Sequence, residues 1–121
     1  MTASISDEYM NEQLARTRPY TLMLLKKTAG FDREEAWPIV WEHGRRNFAL
    51  RADGLVSIIL PVADDSELAG LCVFTVEADD VGCLMDDDPG VRAGIFTYEL
   101  HPCRGFPGDT SQPKAEAPLN G

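Results

Sequence analysis

Few residues of this 121-residue chain have types that do chemistry: two histidines, an aspartate locked before a proline, and a cysteine–arginine pair near the end. His43 lies in a segment where Trp37, Val40, Trp41, Gly44 and Phe48 recur at helical spacing. It falls beside that stripe, next to Ala36, Asn47 and Leu50, and so is expected to face neither bulk water nor the centre of a core. A carboxylate bonded to one ring nitrogen would fix the tautomer and strengthen the other nitrogen as a base. That is what general base catalysis near neutral pH requires. Asp88 is placed to serve, because the turn before Pro89 fixes its backbone. The same Asp-Pro is equally an ordinary helix or turn cap, its oxygen taking backbone N–H groups. His43 is equally a partly buried histidine with a structural partner.

A second group, His101, Cys103 and Arg104, lies further on. Arg104 is the only Lys or Arg between Arg92 and Lys114, and with His101 it could hold an anionic substrate group at the end of a sheet. The plainer reading has Pro102 and Pro107 turning the chain while Arg104 offsets surrounding acid. A metal site from His43, His101 and Cys103 would lack the tight local spacing of structural zinc. No Gly-x-Gly-x-x-Gly, P-loop or zinc spacing is present, so no cofactor is expected. Trp37, Trp41, Phe48 and Tyr98 read as core or interface, not as a substrate cage. Cys72, inside an apolar run, reads as a small core residue.

The length fits one domain, and 44% apolar with 26% charged residues argues against disorder. The net charge is −9, unevenly spread: residues 52–91 hold ten acids and no Lys or Arg. Such a surface repels phosphate backbones and anionic lipid, so neither nucleic acid nor a membrane is expected as partner. The longest apolar runs, 20–25 and 55–63, are too short to span a bilayer. The first ten residues do not read as a secretory signal, and three cysteines without Cys-x-x-Cys spacing read as reduced thiols. The expected address is cytoplasmic.

These residues need elements to position them. Ser6 is expected to cap a short amphipathic helix within residues 4–17. The run at 20–27 reads as a buried strand, and Asp32 as the opening of a second helix that closes at Asp53-Gly54. Residues 55–62 and 68–76 read as antiparallel strands, with Pro61 marking an edge. Residues 77–87 read as a short helix and 95–101 as a half-buried strand. The domain is thus taken as 19–109, with a helical extension at 1–18 and a flexible tail at 110–121. Strand, helix, strand, strand, helix, strand is the order of the α+β, ferredoxin-like split βαβ fold with a four-stranded antiparallel sheet. Its helices cover one sheet face only. Leu22 and Leu24 on the other face need cover too, which a twofold copy would supply. A homodimer is expected on that ground alone.

Three segments together resemble the YCII-related family: WEHGRRNFALRADG, the strand pair around PVADDSELAGLCVF, and DDDPGVRAGIFTYEL, with an ending HPCRGFPGD also seen in some members. The resemblance covers residues 19–109. It implies a dimeric ferredoxin-like α/β barrel and a histidine–aspartate pair as active site, matching His43 and Asp88 here. It points to cofactor-free small-molecule chemistry, such as dehydrochlorination of a hydroxyquinol ring. The chain departs from the family at Leu60-Pro61, where Gly-Pro is usual, and at Gly90, where a bulky residue commonly follows the Asp-Pro.

Two functions are therefore expected. One is a lyase or isomerase in which His43 and Asp88 move a proton on a small polar molecule, with Asn47, His101 and Arg104 contacting it. The other is a non-catalytic dimeric module that binds or senses a small ligand.

Overall fold

A computed structural model describes residues 2–109. Strand β1 (Arg18–Lys27) alternates as its sequence dictates: Thr21, Met23 and Leu25 are buried, while Leu22, Leu24 and Lys26 are half-buried on the opposite face. It is flanked by β3 (Leu68–Phe74) and β4 (Phe96–Gly105), both antiparallel to it. Strand β2 (Val56–Pro61) pairs with β3 at the edge, giving the order β2-β3-β1-β4. Pro61 thus sits on an edge strand, as its missing N–H requires. Strand β4 continues past the expected end at His101, through Pro102, because it is the other edge.

Helices α2 (Ala36–Ala52) and α3 (Ala78–Asp86) cover one face, with the short α4 (Pro89–Arg92) between α3 and β4. With α1 (Asp7–Ala15) this makes an α+β chain of four helices on a four-stranded antiparallel sheet, compatible with a ferredoxin-like fold. Met23, Leu25, Cys72 and Phe74 from the sheet meet Val81 and Met85 of α3 in the core. Tyr98 on β4 ties α3 down by donating to Asp86 Oδ1 at 2.6 Å. No described helix is long and apolar enough to cross a membrane.

Three local expectations need correction. One is only of burial: Ser6 Oγ caps α1 as expected, accepting from the Tyr9 N–H at 3.1 Å, but no residue of the helix is buried. Asp32 opens no helix. It closes a 3-10 turn (Ala29–Asp32) capped by Thr28, and α2 starts four residues later, with Pro38 tolerated in its first turn. The aromatic stripe of α2 points outward, with Trp37 65% and Trp41 58% exposed. The buried side is Ala36, His43, Asn47 and Leu50. Hydrophobicity alone would choose the rings; the helix instead turns its polar pair inward, where buried partners satisfy it. The tail expected at 110–121 lies outside the described residues.

Candidate functional site

His43 sits mid-way along α2 with its ring against Phe96, 4.9 Å between centroids. Its Nδ1 lies 2.8 Å from Asp88 Oδ1. One helical turn on, Asn47 Nδ2 lies 3.3 Å from His43 Nε2. An ionised carboxylate can only accept, so Nδ1 carries the proton; Nε2 then holds the lone pair, to which the Asn47 amide donates. The side chain is buried but borders a cavity.

Asp88 is fully buried. Oδ2 accepts from the Gly90 and Val91 N–H groups at 2.9 and 3.2 Å, which starts α4, and Pro89 fills the first helical position where no N–H is needed. Oδ1 remains for His43. The helix cap and the histidine contact of this aspartate therefore coexist, one on each oxygen. A buried anion needs such saturation, and Arg46 adds a cation with Nη1 3.8 Å from Oδ1. That Nη1 is buried and makes no hydrogen bond among the described residues. Arg46 was not foreseen. Its only signal is its place three residues after His43, on the neighbouring flank of the helix.

Between α2 and the sheet lies a cavity of about 310 Å³. Its walls are mostly apolar, from Met23, Leu25 and Ile59 on the sheet to Phe31 and Phe96 at the side. His43, Asn47 and Lys27 supply its polar and charged side chains. Burial, with the Asp88 charge adding to it, pushes the Cys72 thiol in its floor up to about 11. Cys72 is therefore a neutral wall, not a nucleophile. The lining suits a ligand body more apolar than the small polar molecule expected from sequence.

The remaining candidates lie elsewhere. His101 stands across from Leu22 on the outer sheet face, its Nε2 2.8 Å from Glu99 Oε2. Arg104 is opposite Pro19, at the far end of β1 from the cavity, where its guanidinium donates to Thr17 Oγ1 at 2.9 Å and to the Thr17 carbonyl. Asn47 joins His43 and Asp88; His101 and Arg104 do not. The sheet also separates His43 from His101 and Cys103, and among the described residues no cluster of three such ligands could hold a metal. No protein-family model matches the chain, and no curated protein matches it.

Proposed function

We propose that this chain is a cofactor-free enzyme of the YCII-related type that moves a proton on a small molecule, as a lyase or isomerase. The observation that carries the reading is the buried 2.8 Å contact between His43 Nδ1 and Asp88 Oδ1 at the wall of a mostly apolar cavity. Asp88 holds the imidazole with Nε2 basic. A C–H next to a carbonyl gives its proton to Nε2, and its electron pair moves onto the carbonyl oxygen. Asn47, released from Nε2, donates to that oxygen. The imidazolium, paired with Asp88, then returns the proton elsewhere on the substrate, or the electron pair expels a leaving group from the adjacent carbon. Apolar walls keep water from quenching the carbanion.

The active form in this reading is a homodimer with a ferredoxin-like α/β barrel. It is supported by the outer sheet face, where Leu22, Leu24, Leu71 and Val73 are half-buried and Leu60 is 48% exposed, on the side away from α2 and α3.

The test is a panel of small carbonyl compounds in heavy water, followed for deuterium uptake or consumption. Removing the imidazole by His43→Ala also strips a donor from buried Asp88, so stability falls whatever the role. His43→Gln separates the two, since its amide can still reach the carboxylate but cannot take the proton. Turnover that survives His43→Gln overturns the proposal. One observation favours the binding-module reading: Asn47 already occupies Nε2. Under that reading, compounds stabilise the protein and none is consumed.

A further inference from the structure

The inner row of β1 runs Thr21, Met23, Leu25 and then Lys27. The first three are buried, so the row that forms the cavity floor ends in a cation. Two consecutive lysines here have opposite circumstances. Lys26 points to the outer face and is paired, its Nζ 2.8 Å from Glu99 Oε1. Lys27 borders the cavity and forms no ion pair among the described residues. Most described Lys and Arg lack an ion pair too; what distinguishes Lys27 is its place on the cavity lining. The acid that feels its charge, Asp64 in the β2–β3 turn, is held below the ordinary carboxylate range mainly by hydrogen bonds from Ser66, with Lys27 a lesser cause. The Lys27 ammonium instead lies over the Phe31 ring, 5.6 Å from its centroid.

From there a line of rings leads inward. Phe31 lies 5.8 Å from Phe96, and Phe96 lies 4.9 Å from His43. One wall of the cavity thus reads cation, ring, ring, imidazole. The volume of about 310 Å³ is at the small end for ligand sites. A wall of this kind offers a charge partner at one end, flat apolar contact along its length, and a base at the other.

We propose that the cavity takes a small aromatic carboxylic acid, with its carboxylate at Lys27, its ring along Phe31 and Phe96, and its reacting end at His43. This rests on reading the cavity as the ligand site of the proposed enzyme, and it narrows that reading to one substrate class. The ligand supplies the anion that Lys27 lacks, and a partly desolvated ion pair there outweighs one made in water. Neutral and cationic analogues of the same shape are discriminated against.

The test uses the full chain with benzoate, phenylacetate and 3-phenylpropanoate, each beside its neutral amide, and phenethylamine as the cationic control. Binding is read by calorimetry and by the shift in melting temperature. At least one acid is expected to bind roughly tenfold or more tighter than its amide, the scale of a lost charged hydrogen bond. Lys27→Gln is expected to erase that preference and Lys27→Arg to keep it, with amide binding unchanged in both. No acid outbinding its amide, or a preference untouched by Lys27→Gln, overturns the proposal. The readout needs no turnover. 4-Acetylbenzoate, whose ketone would reach His43, held through Lys27 without deuterium uptake sinks the proton-transfer reading alone; His43-dependent turnover confined to neutral compounds sinks this one alone.

Discussion

A β-carbon on Gly90 would run into the Phe96 ring, meeting Cδ2 and standing 2.8 Å from Cε2. The glycine and the phenylalanine therefore share one volume: the ring can lie against His43 because residue 90 has no side chain.

Gly90→Ala is accordingly expected to displace the ring and to cost about 1–3 kcal/mol, the usual penalty for overpacking. Chemical denaturation measures the loss, and the ring-current shift on the His43 protons reports the displaced ring. An unchanged His43 signal would contradict the shared volume.

Replacing Asp88 by Asn keeps the shape and removes the charge. Arg46 is left without its anion, and the amide can no longer accept at both oxygen positions. A loss of about 2–4 kcal/mol is expected, within the range for breaking one side of a buried pair. Nitrogen NMR should show His43 protonated at Nδ1 in the parent chain and redistributed between tautomers in the variant.

The three thiols should behave differently. Cys83 and Cys103 are exposed, whereas Cys72 is buried and its thiol is raised to about 11. At mildly alkaline pH its thiolate fraction is negligible. Iodoacetamide followed by mass spectrometry is expected to label two sites in the folded protein and the third only after unfolding.

Hydrogen bonding to Asp86, and burial after it, push the Tyr98 phenol up to about 12. The folded value is above the unfolded value near 10, so this contribution to stability is complete below about pH 10 and is lost as pH rises through about 12. Ultraviolet titration of the parent chain minus that of Tyr98→Phe should isolate the late phenol. A difference curve centred near 10 would refute it.

Leu24→Asp places a charge in the middle of the outer face, on a central strand. Light scattering is expected to fall from about twice 13.3 kDa to 13.3 kDa. If the parent chain already scatters as a single copy, the proposed barrel fails with it.

The first three strands were legible as apolar runs between turn residues and the last by its alternation; β1 then buries every second residue from Thr21 to Leu25. Pro61 announced its edge through chemistry that no tertiary context can override. Helix α2 misled, because its aromatic stripe is the stronger periodic signal yet faces outward, while a weaker flank of Ala36, His43, Asn47 and Leu50 is buried. That choice depends on Asp88, 45 residues away along the chain from His43. The contact of Arg46 with Asp88 was hidden for the same reason: it exists only once distant segments are packed. His101 and Arg104 are near each other in sequence, but strand alternation sends them to opposite sides of β4.

The lysine pair at the end of β1 makes the cavity's character a matter of odd and even. A single-residue insertion or deletion within this strand would exchange the two: the cation tied to Glu99 would turn in and the unclaimed one would turn out, while Met23 and Leu25 traded places with Leu22 and Leu24. The hydrophobic rows are similar in character over much of the strand, yet the Thr21 hydroxyl, donating to the Val76 carbonyl at 2.8 Å, would be pulled from its acceptor. One threonine thereby helps set the phase in which a lysine, six positions on, meets the ligand space.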